Sequence, residues 1–224
     1  MKRIPCLIFL LCCPLWANSF HIIAGSEMDS SDQSFSYMGF LKDFKLSGSS
    51  YIVVKLWGDY LSYTFSVNGD RIKAQAPAFQ GGIGLKFVTG FGIFSIIPGW
   101  ESRNTTISPN IENVKVRGIS EGAVIVADAY LTFPGRLVLT AVGSYSTSIS
   151  YAWGRIRLLK GDYFGNLKFG AEIIGQGNYD YESFQLAPIL EFARSNYSLI
   201  LRSGYKKSSA GESVYGGVDF YIGF

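Results

Sequence analysis

The ionisable side chains of this chain recur at even spacings. Lys55 and Asp59 stand in YIVVKLWGDY, Arg155 and Arg157 in AWGRIRL, Lys168 and Glu172 in NLKFGAEIIG, and Lys86, Asp128, Glu191, Arg202 and Asp219 each lie within an alternating apolar run. A strand turns successive side chains to opposite faces, so charges two or four residues apart share one face. Such a row can pair ions across strands or select charged solutes. Two carboxyl groups could also cut a glycosidic bond, with Glu101, Asp128, Glu172 and Glu191 as the available acids. Other reaction classes lack their parts. The single histidine, His21, would have to be a general base alone, the one G-x-S-x-G match, GISEG from Gly118, opens a strand-like run with no helix after it and so makes no nucleophile elbow, and the chain has no metal-ligand cluster. The glycine runs at Gly81 and Gly90 precede no helix that could receive a phosphate. The expectation is no catalytic residue, no metal and no cofactor. The charges are expected to line a lumen, where they tie strands together.

The elements that would position them are strands. The chain closes on VYGGVDFYIGF, in which Val214, Gly216, Val218, Phe220, Ile222 and Phe224 share one face and Tyr215, Gly217, Asp219, Tyr221 and Gly223 the other. An apolar row opposite a small or polar row fits a wall between lipid and a wet or packed interior. Tyr221 and the terminal Phe224 match the aromatic signal by which outer-membrane barrels are handed to their assembly machinery. At the other end, Met1, Lys2 and Arg3 precede the apolar run IPCLIFLLCCPLW and the small residues Ala17, Asn18 and Ser19. This pattern predicts a secretory signal over residues 1–19 and a mature domain over 20–224. The apolar run is too short for a spanning helix, which needs about 20 residues. All 3 cysteines, Cys6, Cys12 and Cys13, lie in that leader, which leaves the mature domain without a disulfide or a thiolate nucleophile. Loss of Lys2 and Arg3 leaves 18 basic against 17 acidic side chains, lowering the formal charge from +3 to +1. A nearly neutral exterior excludes nucleic acid as a partner, because phosphate neutralisation needs a basic patch.

The composition, with 26 Gly, 14 Tyr and 17 Phe but 7 Pro, is that of many strands. Period-2 runs predict strands near 20–27, 33–44, 50–66, 70–87, 91–102, 113–132, 136–146, 149–160, 165–176, 179–193, 196–206 and 212–224. The fold class is therefore all-β: a closed antiparallel transmembrane barrel of about twelve strands in the bacterial outer membrane, bathed by its lipids. Short connections such as KLSGSS, VTGF, FPGR, KGDYFG and RSN are predicted on the periplasmic side, and the longer, more polar ones outside. A one-residue slip would push Lys168, Glu172 or Arg202 into hydrocarbon, at about 2–4 kcal/mol for a basic group at mid-depth, which fixes the register. Trp57, Trp100, Tyr130, Trp153, Tyr179 and Tyr205 are expected in the interfacial girdles.

The succession LWGDYLSYTF, PGWES, EGAVIVADAYLTF, VGSYSTSISYAWGRIRL and GAEIIGQGNYDYESFQLAPILEF, ending in YGGVDFYIGF, resembles the cellulose biosynthesis protein BcsS family. Gln185 departs from that pattern, which has a basic residue there, and Ala171 stands where it has a proline. The resemblance implies an outer-membrane accessory protein for cellulose or another exopolysaccharide, with polysaccharide or cellulose synthase components as partners. A narrow solute channel is the alternative reading, and a lipid-modifying enzyme fits less well because it would rest on His21 alone.

Overall fold

The computed structural model describes residues 17–67, 69–110, 114, 116–161 and 166–224. Residues 1–16 of the expected leader, with its three cysteines, lie outside them, and Ala17, Asn18 and Ser19 belong to the first strand. Twelve strands follow in chain order: β1 (Ala17–Asp29), β2 (Ser34–Ser47), β3 (Ser50–Val67), β4 (Asp70–Val88), β5 (Gly92–Ser108), β6 (Gly118–Phe133), β7 (Leu137–Ser146), β8 (Tyr151–Gly161), β9 (Leu167–Gly177), β10 (Glu182–Arg194), β11 (Tyr197–Ser208) and β12 (Gly211–Gly223). Each pairs antiparallel with the next, and β1 pairs with β12 from His21↔Gly223 to Asp29↔Tyr215, which closes the barrel. The predicted fold class and strand number hold. The largest shifts are at two boundaries. β5 runs on to Ser108, and β6 begins at Gly118 rather than near residue 113, with Val114 and Val116 outside strands.

Closure satisfies every ladder edge within the wall, a requirement in hydrocarbon where no water can take an unpaired amide. The side-chain period then sorts the residues. On β10, Ser183, Gln185, Ala187, Ile189 and Glu191 are buried, while Phe184, Leu186 and Phe192 face out. Outward positions between Glu182 and Arg194 are all apolar, an unbroken row long enough for a tilted strand to cross the hydrocarbon layer. Exposed aromatics stand near both ends of this band. Phe79, Trp100, Tyr145 and Tyr205 lie toward the longer loops, and Phe40, Phe87, Phe133, Phe192 and Phe224 toward the short turns.

The turn end is built tightly. Gly135 and Arg136 are consecutive residues of positive φ between β6 and β7, and only glycine takes that left-handed conformation without steric cost. At the opposite end β3 and β4 are the longest strands, and their hairpin outreaches β2, whose ladder stops at Ser34↔Ser62.

Candidate functional site: a packed lumen

The interior is filled in two storeys. The upper one is apolar and lies at the loop end. Leu61, Tyr63, Phe65, Ile72, Ala74 and Ala76 from the β3–β4 hairpin pack with Val116, Ile149, Tyr151 and Tyr181, which come from the β5–β6, β7–β8 and β9–β10 connections and the start of β8. The Tyr63 and Tyr181 rings meet at 4.8 Å between centroids, although β3 and the β9–β10 connection lie on opposite sides of the twelve-strand circle. The Tyr181 hydroxyl donates to Gln33 Oε1 at 2.8 Å on the β1–β2 side, so the mouth is bridged in a second direction.

Below this plug the lumen is ionic. On the β8–β12 side, Arg155, Arg157 and Arg202 converge on Glu172, Asp219 and Glu27. Asp219 Oδ2 receives Arg155 at 3.1 Å and Arg202 at 2.6 Å, and Arg157 bonds both Asp219 and Glu172. Arg202 also reaches Glu27 at 3.3 Å and Glu172 at 3.4 Å. The Tyr37 hydroxyl donates to the second Asp219 oxygen at 2.8 Å. Glu172 is 0% exposed and Arg202 5%. Charges this deep stay ionised only with partners and hydrogen bonds, and each has several.

A second group occupies the β3–β5 side. Arg103 bonds Asp59 at 3.0 Å and Glu101 at 3.4 Å, and donates to the Ala76 carbonyl at 3.0 Å. Gln80 joins Lys55 to Glu101, at 3.3 Å and 2.8 Å. Ser146 and Ser148 donate to the same carboxylate from the end of β7 and the β7–β8 connection, two strands away, at 2.8 Å and 2.7 Å. Lys55 sits 4.6 Å from the centre of the Trp57 ring, which stacks on Tyr37 at 4.7 Å and 11°. Gly39 makes this stack possible. Any Cβ there would overlap the Trp57 indole.

Smaller pairs complete the lining. Lys86 bonds Asp43, Lys168 bonds Glu191 at 3.2 Å, Ser95 donates to Asp128, and Lys206 bonds Asp29 at 2.8 Å near the loop end. His21 lies beside the seam. Its Nδ1 is 2.8 Å from the Tyr221 hydroxyl, and its Nε2 is 3.1 Å from Ser19 Oγ and 3.2 Å from Asp43. Ser19 donates to Asp43 at 2.8 Å, not to the imidazole. This is not a nucleophile–base–acid relay, because one imidazole nitrogen faces both serine and carboxylate.

All eleven charges singled out from the sequence therefore occur on the inward parity. Nine of them stand in direct ion pairs, and Asp128 is held by Ser95. Lys55 reaches a carboxylate only through Gln80 and carries a cation–π contact instead of a direct bridge. Of the four acids considered for sugar cleavage, Glu101 and Glu172 are each clamped by arginine, Glu191 by Lys168 and Asp128 by Ser95. Sequence reading passes over Glu27, Asp29, Asp43, Arg103 and Lys206. Glu27, Asp43 and Lys206 lie within the predicted strands, where parity alone marks them inward, and extending the alternation by one or two residues finds Asp29 and Arg103. Gln185, one of the two departures from the family pattern, is 0% exposed and donates to Glu27 at 2.9 Å.

The expected girdles need correction. Trp57 and Trp153 point inward, Trp57 onto Tyr37 and Trp153 against the apolar plug with Arg155 over its ring at 5.4 Å. Tyr130 also falls on the inward parity of β6, alongside Val124 and Val126. Trp100 and Tyr205 face outward as expected, and Tyr179 is exposed in the β9–β10 connection.

Known structures with this architecture are outer-membrane barrels. An outer-membrane channel from Pseudomonas putida F1 superposes with a TM-score of 0.58 at 8% identity, covering 94% of this chain and 96% of that chain. The β domain of the Bordetella autotransporter BrkA gives 0.52 at 12% identity, covering 94% and 100%. At such identities the likeness speaks for the fold alone. No curated protein sequence matches the chain at a significant level. A closed barrel with this apolar band resides in the outer membrane. Residues 13–224 match the family described as cellulose biosynthesis protein BcsS, and the chain belongs to that family.

Proposed function

We propose that this barrel is a non-catalytic accessory protein of cellulose or related exopolysaccharide production, serving at the outer membrane as a plugged scaffold rather than as the polymer's conduit. Family membership supplies the pathway. The observation that carries the scaffold reading is the Tyr63–Tyr181 contact across the mouth, above a lumen occupied by the ion pairs of Arg103, Arg157 and Arg202. A glucan chain needs a continuous bore, and side chains can fill a barrel of this size. In this reading Lys55, Asp59, Lys86, Asp128, Arg155, Arg157, Lys168, Glu172, Glu191, Arg202 and Asp219 are interstrand ties. Components of the cellulose synthase and the polysaccharide itself are the partners at the barrel's two ends. Tyr221 and Phe224 serve delivery to the barrel assembly machinery, before Tyr221 turns inward onto His21. The leader over residues 1–19 provides export, and 20–224 is the working domain. Deleting the gene in a cellulose-producing strain is expected to lower matrix polysaccharide, with recovery on re-expression. An unchanged matrix would sink the proposal.

A second reading, favoured by the charges that line the lumen, is a narrow path for small solutes whose selectivity is set by Arg155, Arg157, Arg202, Lys168, Glu172 and Asp219. Planar-bilayer recording separates the two. The scaffold reading expects silence from the unaltered protein and current after Tyr63→Ala with Tyr181→Ala. Steady conductance of the unaltered protein would favour the channel.

A further inference from the structure

Among the described residues the outward face of the wall carries charge only near its two ends, and the two ends differ in kind. At the loop end the outward positions Arg71, Lys73, Glu121, Glu182, Lys207 and Glu212 are exposed and mix both signs, and Lys207 stands directly opposite Glu212 on the neighbouring strand. At the turn end the outward charges are Lys42, Lys160 and Arg194, all cationic, and the exposed Lys45 at the end of β2 adds to them. The described carboxylates at this end, Asp43, Asp128 and Glu191, face inward onto Lys86, Ser95 and Lys168. None of these acids shares the outward face with Lys42, Lys160 or Arg194. Each of the three cations also has a ring beside it on an adjacent strand. Lys42 pairs in register with Phe20, Lys160 with Phe169 and Arg194 with Tyr197, and the Lys42 ammonium lies 5.6 Å from the centre of the Phe44 ring.

We propose that these cations form a collar that binds the phosphate headgroups of anionic glycerophospholipids in the leaflet at the turn end. A strand-borne lysine that points away from the barrel at the edge of an apolar band can keep its charge solvated only by reaching up to headgroup level. The adjoining rings occupy the same interfacial layer. A cationic rim there is drawn to an anionic leaflet over about one Debye length, and salt weakens the attraction. The cations are distributed over β2, β8 and β10, and so on both sides of the circumference. A lipid surface meets all of them at once, whereas a single docked protein would reach one arc. The mixed charges of the loop end compensate each other and offer no such field.

The test uses the whole barrel refolded into vesicles of phosphatidylcholine, or of equal parts phosphatidylcholine and phosphatidylglycerol. The unfolding temperature is read from loss of the heat-resistant band on a denaturing gel. Phosphatidylglycerol is expected to raise the midpoint of the unaltered protein, and high salt to remove the gain. Combined Lys42→Gln, Lys160→Gln and Arg194→Gln should lose most of that gain, while Arg71→Gln, Lys73→Gln and Lys207→Gln together keep it. Where the first variant fails to fold, native mass spectrometry of the unaltered protein replaces it, with retained phosphatidylglycerol expected to exceed phosphatidylcholine severalfold. An equal gain in both variants, a loss confined to the loop-end variant, equal retention of the two lipids, or preferential retention of lipopolysaccharide each overturns the proposal.

Discussion

The two storeys of the lumen are held by opposite physics. The loop-end plug is apolar and gains by removing aromatic and aliphatic area from water, so its strength is spread over ten buried residues and tolerates small changes of shape. The ionic storey is directional. Asp219 answers three guanidinium groups from two strands, and Glu172 shares them, so each charge is balanced by groups whose positions are fixed by strand register. The plug closes the barrel, and the network fixes which strand residues face one another. A buried ion pair often contributes little net stability compared with apolar residues of equal volume, and a role in fixing register accords with its retention here.

Substitutions can break this contrast. The largest effect is expected from Asp219→Ala, which leaves Arg155, Arg157 and Arg202 short of a shared partner and should cost about 3–5 kcal/mol. Denaturant titration in detergent micelles, with the folded fraction read by gel mobility, would measure it. A loss below that of an ordinary surface change would remove the network from the account. Double-mutant cycles sharpen the comparison next. Arg202 with Asp219, at 2.6 Å, should couple by about 2–3 kcal/mol. Tyr63 with Tyr181 should couple more weakly, by about 1 kcal/mol, as a tilted aromatic pair does. Equal couplings would mean that the storeys do not differ in kind. The smallest effect on overall stability belongs to the plug, where Ile72→Val at a fully buried position should cost about 1 kcal/mol in the same titration. A cost like that of Asp219→Ala would make the plug as specific as the network.

Much of the barrel is legible in the chain because one rule governs it. Period-2 alternation with polar breaks yields twelve strands, and the lumen charges follow from the same parity. The misread residues are instructive. Residue type puts Trp57 and Trp153 in the girdles, yet Trp57 shares its parity with Lys55 and Asp59, and Trp153 with Arg155 and Arg157. Parity outranks composition when the two conflict, since a strand cannot turn one side chain around without a bulge. The plug is not legible for another reason. It joins Tyr63 to Tyr181 and gathers Leu61 with Ile149, residues that are distant in sequence and meet only because connections fold over the mouth. No local pattern records that. Asp43 and Lys86 show an intermediate case. Alternation puts Lys86 inside, but its partner emerges only from the positions of β2 and β4 on the closed circle.

The β1–β12 ladder makes the first and last portions of the sheet neighbours, with the Phe20 and Phe224 backbones exchanging hydrogen bonds and His21 facing Tyr221. A ring joined in this way has no complete precursor. Until the last segment arrives, both margins carry unmatched amides, so a shortened copy would be left with raw edges that a bilayer rejects and that proteases or chaperones can recognise.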